Sequence, residues 1–474
     1  MIPRPSGCVA IRRVAAARYP APDLALDDPS APAEPLYSAV FAVLRDAGLD
    51  LENAHTPGWS PFSKFVAPGG RVLVLVNFVH HRLGARESLD DFASKCTQAA
   101  VLRPLLVLLA RAVGPSGTIL FGNSPVQGAD WPSLLEDTGA RALLASLGDS
   151  LNGTRVEAVD LRGWVLSQGA RGSGTARGEG VGVDLGAHSL LERTSGNHDY
   201  RVLQYDPQMT ARFHGPGRHE YRLSPRVLDA DLVLSVPKLK THVKVGVTAA
   251  LKGCVGAIAE KDCLAHHRAG SPDEGGDEFP AWHPLLRVSS ALGERVWRRG
   301  GDPRVMGLGR TAERLVYKLS SKLGVLSGGS WHGNDTCWRM TLDIARCILY
   351  ADRAGVLHPT PQRKHITLID GVLGGEGDGP LRPRAVASRC LVFADDCFAA
   401  DVAACAVMGF DPRKIGLFRG AVDVAPYPVT PLGFHDISPR LDGAPVAWTE
   451  LPGQVCRRFE VPTGWRGAME FVRG

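Results

Sequence analysis

Two short runs limit what this 474-residue chain can fold into more than any other feature. Arg71-Val-Leu-Val-Leu-Val-Asn77 and Asp231-Leu-Val-Leu-Ser-Val-Pro237 are apolar almost without interruption, where a half-exposed strand would alternate. A strand with no polar face must be covered on both sides, which happens in a sheet with helices above and below it. Around these runs strand, loop and helix alternate. Residues 118–122, 364–370 and 390–394 read as further strands, and 98–113, 133–147, 341–351 and 401–408 read as helices. The order predicts an α/β fold with a mainly parallel central sheet, flanking helices and right-handed crossovers. It also predicts a basic helical insertion at about 266–330. In this reading 1–70 is a strand and helix lead-in, 71–420 the α/β domain, and 421–474 an irregular, proline-rich extension.

The second run ends in the clearest functional clue. Pro237 has no amide hydrogen and should stop the ladder. Lys238, Lys240, Thr241, His242 and Lys244 follow at once, at the carboxyl end of a strand, where ligands of wound sheets sit. A small-residue run from Thr248, with Leu251, Val255 and Ile258 at helical spacing, then carries Lys252. Lys238 and Lys240 alternate and so share one side of an extended segment. Together with Lys252 they suit a carboxylate or phosphate, with Thr241 and Asn77 as neutral contacts. His242 can move a proton or bind a metal, since its pKa lies nearest neutrality. The plainer alternative is a set of lysines that reach into solvent.

Asp370-Gly-Val-Leu-Gly-Gly-Glu-Gly-Asp-Gly-Pro380 reads as a strand end followed by a glycine-rich acidic loop. Asp370, Glu376 and Asp378, joined by Asp335, have the ligand type of a hard-cation site, and Asp370 alone could be a partner base. The order of residues is not that of an EF-hand. Asn334 is either a substrate contact or a helix cap. His80-His81 and His266-His267 are adjacent pairs, whose rings point apart in regular structure. The basic segment that includes Arg298, Arg299 and Arg310 reads as a solvated face, because no nucleic-acid motif accompanies it.

Totals exclude several classes. A net charge of +5, from 54 basic and 49 acidic residues, is too mild for a general polyanion binder. Ten cysteines occur without one Cys-x-x-Cys, so a ferredoxin-type cluster has no support and reduced, buried thiols of a cytoplasmic protein are expected. The most apolar window contains Arg103, Pro104 and Arg111, which argues against a membrane partner. Hydrolase and nucleotide-loop signatures are missing.

The stretch from Asp231 to His242, continued by Gly246-Val-Thr-Ala-Ala-Leu-Lys-Gly-Cys-Val-Gly256, resembles domain-of-unknown-function family 362. Gly122-Asn-Ser-Pro-Val-Gln-Gly128, the Asp370 segment and Met408-Gly-Phe-Asp411 fit the same family, so the likeness spans about 72–415. The family pattern has Asn where this chain has Gly253, and often a lysine where it has Val76. Some relatives carry an iron–sulfur extension. The family implies no settled reaction, but it implies that the strand-end groups form one site. A fainter likeness to nickel-pincer lactate racemase-type proteins points to Lys240 or Lys252 with His242 or His266.

The expectation is an enzyme acting on a small anionic substrate. Lys238, Lys240 and Lys252 hold the anion, His242 moves the proton, and Asp370 acts as base or as ligand of a divalent metal. The alternative is a non-catalytic carrier of a metal or metallocofactor, with nucleic-acid binding a distant third.

Overall fold

A computed structural model describes residues 5–26, 32–151, 153–165, 175–176, 178–194, 196–202, 207–298, 326–422 and 424–471. Among these, twelve strands form the central sheet: β1 (Cys8–Arg13), β2 (Arg71–Val76), β3 (Thr118–Asn123), β4 (Arg155–Asp160), β5 (Leu232–Val236), β6 (Lys238–His242), β7 (Gly246–Val247), β8 (Lys364–Glu376), β9 (Arg384–Val386), β10 (Cys390–Ala394), β11 (Ser438–Leu441) and β12 (Ala444–Pro445). The main path runs β12-β11-β1-β10-β8-β5-β2-β3-β4. From β8 to β4 every neighbouring pair is parallel, whereas β10 is antiparallel to both β8 and β1. The mainly parallel α/β sheet expected from the apolar runs is present, with β2 and β5 side by side near its middle.

Seven helices matter here: α1 (Pro35–Asp46), α2 (Leu89–Lys95), α3 (Ala99–Val113), α4 (Ala249–Gly253), α5 (Pro284–Arg298), α6 (Cys337–Tyr350) and α7 (Cys397–Val407). The sheet separates two apolar cores. One contains the buried faces of α1 and α3, the other those of α4, α6 and α7. That double cover is why β2 and β5 could be apolar on both sides. β1, from the first seventy residues, and β11, from the last fifty-four, both join the central sheet. No single described helix is long and apolar enough to cross a membrane. All ten cysteines are free thiols, and eight are buried.

The chain builds β2, β3 and β4 outward in one direction, then lays β5 on the other flank of β2 and β8 beyond it. Strand order therefore reverses between β2 and β5, and the crevice outside their carboxyl ends is where such sheets bind ligands. Thr97, between α2 and α3, bridges the two strands. Its hydroxyl donates to the Val236 carbonyl at 2.7 Å and accepts from the Asn77 amide at 2.9 Å.

Four local readings change. Pro237 ends the pairing of β5, but the chain does not leave the sheet: it continues as β6, paired with β8. The segment read as a glycine-rich loop is strand as far as Glu376. Its glycines serve close approach: a Cβ on Gly371 would lie 3.0 Å from Leu239, and one on Gly375 would lie 3.0 Å from the Lys240 Cβ. The helix expected at 133–147 is broken at Gly139, whose φ of 77° suits glycine. The helix after Thr248 is only α4, followed by a 3-10 turn at Cys254–Ala257. Of the basic insertion, α5 is described, while Arg299, Arg310 and the rest of 299–325 lie outside the described residues.

Candidate functional site

β6 lies parallel to β8, with Lys238 opposite Asp370 and Lys240 opposite Gly375. The register gives neighbouring lysines different fates. The Lys238 ammonium is 3.0 Å from Asp370 Oδ2 and donates to the Tyr19 hydroxyl at 2.7 Å, which donates in turn to Asp370 Oδ1 at 2.8 Å. Neither charged side chain of this pair is exposed. Burial lowers the Lys238 pKa, and Asp370 acts against that shift. Burial, followed by the charge of Asp370, raises the Tyr19 pKa well above the usual range. Asp370 is thus enclosed with Lys238 and Tyr19.

Four other ammonium groups are handled differently. Lys240 donates to the Lys95 carbonyl at 2.7 Å, Lys261 to the Ser124 carbonyl at 2.9 Å, and Lys244 to the Gly328 carbonyl. Lys252 has no hydrogen-bond partner among the described residues, although it is only 9% exposed. None of the four is ion-paired with a described carboxylate. Elsewhere the fold does provide partners: buried Lys95 is 2.7 Å from Glu87, and Arg162 is 2.7 Å from Asp160. Burial brings Lys240 and Lys261 down to about 7 and Lys244 to about 8. Lys252 is lowered for the same reason. Mutual repulsion adds to burial, since the Lys252 charge also depresses Lys240, Lys244 and Lys261.

His242 Nδ1 accepts from the Lys244 amide at 3.1 Å, so the neutral ring carries its proton on Nε2. Burial, then the charge of Lys252, drives its pKa well below the usual value, as it does for His266. Both rings are neutral at physiological pH. Nδ1 of His266, Oδ1 of Asn77 and Asn123, and the hydroxyls of Ser124 and Thr248 are buried without a hydrogen-bond partner. Asn77 and Asn123 stand at the carboxyl ends of β2 and β3. Asn123 packs against Gly256, where an added Cβ would lie 3.1 Å from its own. Buried polar atoms without partners are rare in folded proteins, so each of these calls for an explanation.

Other residues hold this arrangement. The Asp401 carboxylate accepts from the Ala250 and Leu251 amides at 2.7 and 2.8 Å, and so anchors the start of α4, which carries Lys252. Burial pushes the Asp401 pKa up to about 8. Arg162 donates to the carbonyls of Val126, Gln127 and Ala129 at 3.2, 3.4 and 3.0 Å, which fixes the loop after β3. Lys244 stood within the lysine-rich stretch and His266 was offered by the fainter likeness, whereas Lys261, Arg162 and Tyr19 were not expected in the site. Arg162 lies just beyond the end of β4, a position that could have flagged it. No spacing distinguishes Lys261.

Several expected contacts are used up structurally. The Thr241 hydroxyl donates to the Gly377 carbonyl at 2.7 Å. Asn334 Oδ1 accepts from the Thr336 and Cys337 amides at 3.1 and 2.8 Å, so the capping alternative describes it. Asn334→Ala is expected to cost about 1 kcal/mol in urea denaturation, as a lost helix cap does. Nor do the acids assemble a cation site. Asp335 faces Arg339 at 3.0 Å, Glu376 faces Arg457 at 2.7 Å, and Asp378 accepts from the Thr463 amide at 2.8 Å. With Asp370 enclosed as described, these carboxylates do not fit a shared divalent metal. No group of three His, Cys, Asp or Glu suited to a metal occurs among the described residues. Two surface clefts, of about 660 and 710 Å³, lie away from the lysines.

The fold and the cluster define a wound α/β protein with a group of buried lysines near its switch point. Residues 173–406 match the family model described as Domain of unknown function (DUF362), and over that stretch the chain resembles the family. The match includes Lys240, Lys244, Lys252 and Lys261, and leaves β2 and β3, with Asn77 and Asn123, outside. No curated protein and no solved structure matches the chain.

Proposed function

We propose that this chain is an enzyme that binds a small anionic substrate among Lys240, Lys244, Lys252 and Lys261, with His242 offering its Nε2 hydrogen to the same ligand. The carrying observation is the set of four buried ammonium groups, none of which forms an ion pair with a described carboxylate; Asp277 and Glu278 act on Lys244, and Asp160 on Lys261, only from farther away. An uncompensated buried charge costs several kcal/mol, and a bound carboxylate or phosphate would offset that cost. Lysines brought near neutrality beside neutral histidines are also groups suited to proton transfer, which supports catalysis over passive storage. Lys238 and Asp370, which compensate one another, serve the scaffold in this reading.

Titration calorimetry with inorganic phosphate and short carboxylates at low ionic strength tests it. The expected result is one saturable site whose affinity falls as salt is added. Lys252→Met should weaken that affinity by about 10–100-fold, the loss of one hydrogen bond to a charged group. An anion affinity that Lys252→Met leaves untouched would remove the proposal.

A further inference from the structure

We infer that α5 is a membrane-surface helix, which seats the chain on anionic lipid through an apolar stripe of Leu285, Val288 and Leu292. The inference is independent of the anion site proposed above. Its basis is where these side chains stand. They are 45%, 57% and 46% exposed, and Trp282, just before the helix, is 57% exposed as well. Spacings of three and four residues put Leu285, Val288 and Leu292 on one helical face. Single exposed apolar residues are ordinary, but a row of them on one face marks a surface that meets something.

The other sides of α5 have their own work. Leu286, only 4% exposed, holds the helix on the body of the protein, and Ser290, on the same side, donates to Glu278 at 3.2 Å. Arg287 pairs with Glu274 at 3.0 Å. Going round the helix from the body, Arg287 comes next, then exposed Arg295, then the stripe. The arginines thus flank the apolar face on its solvent side.

Charge selects the partner. From Arg287 to Lys322 the sequence holds nine Arg or Lys against Glu294, Asp302 and Glu313. A second copy docked face to face would bring like charges together, whereas phosphate-bearing headgroups would be attracted. A helix with a basic polar side and Trp, Leu and Val on the other lies in the headgroup plane. Such a helix escapes the hydropathy test for spans, because it needs one apolar stripe rather than an apolar stretch.

Co-sedimentation of the full chain with vesicles of phosphatidylglycerol and phosphatidylcholine in equal parts tests the inference. The expected result is saturable binding that weakens as salt is added, and that is about tenfold or more weaker on phosphatidylcholine alone. Val288→Asp combined with Leu292→Asp should cost about tenfold or more in affinity for the mixed vesicles, since two large apolar side chains lose their burial. Both positions are exposed, so the melting temperature should stay that of the wild type. Trp282 fluorescence, taken as the difference between wild type and Trp282→Phe, should move to the blue on the mixed vesicles. No binding to either vesicle, equal binding to both, or undiminished binding by the folded double variant would overturn the inference. A dimer that the double variant abolishes, without vesicle binding, would give the stripe to a second copy and overturn it as well.

Discussion

Replacing Asp370 with alanine is expected to lower the unfolding free energy by about 3–5 kcal/mol, the usual result of leaving a buried charge without its partner. The carboxylate lies 3.0 Å from the Lys238 ammonium, and both side chains are fully enclosed. Tyr19 would remain as a neutral contact at 2.7 Å, which cannot replace a counter-ion. The Val372 amide, 3.2 Å from Asp370 Oδ1, would also lose its acceptor. Lys238→Met combined with Asp370→Leu should recover most of the loss, because an apolar pair of similar volume often matches a buried ion pair. Urea denaturation of the two variants decides the matter. A cost below about 1 kcal/mol for Asp370→Ala would place the pair in the class of weak, solvated bridges. Anion affinity in the double variant should stay near that of the wild type, since Lys240, Lys244, Lys252 and Lys261 are untouched.

Lys240→Met is expected to move stability and binding in opposite directions. The ligand-free protein should gain about 1–4 kcal/mol at neutral pH, less the ~1 kcal/mol of the bond to the Lys95 carbonyl. The sign follows from linkage. Burial lowers Lys240 from 10.5 to about 7 in the folded chain. Below pH 7 the group is protonated in both states and its burial cost is felt in full. Between pH 7 and 10.5 the unfolded chain binds more protons, so stability rises with pH. Lys261, also lowered to about 7, adds to the same slope. The wild-type melting temperature should therefore climb between pH 7 and 9, less so in Lys240→Met, and least with saturating phosphate. Phosphate affinity in the variant should fall by about 10-fold or more, as one charged donor is lost. A variant that melts lower than the wild type at pH 7, with an unchanged pH slope, would contradict this account of the cluster.

The place of the buried lysines could be read from the chain. An apolar strand ending in Pro237 and a burst of lysines and histidine put them at a strand's carboxyl end, where β6 carries Lys238 and Lys240. The partners of the individual groups could not be read. Lys238 and Lys240 are two residues apart with the same chemistry, yet one meets Asp370 and the other the small Gly375. Local pattern assigns Gly371 to Gly375 to a loop, because glycine has low strand propensity. Packing overrides that preference, since β6 could not lie beside β8 with side chains there. Glu376, Asp378 and Asp335 looked like cation ligands for want of knowledge of Arg457, Thr463 and Arg339, which engage them.

By itself the sequence determined that the chain forms a mainly parallel α/β sheet covered on both faces, because uninterrupted apolar strands can be desolvated in no other way. It also determined that cations gather where one of those strands ends. Which cations find carboxylates, and which do not, was decided by tertiary structure alone. Ion pairing depends on distances of a few ångströms between residues far apart in the chain, and only strand register and helix packing set those distances.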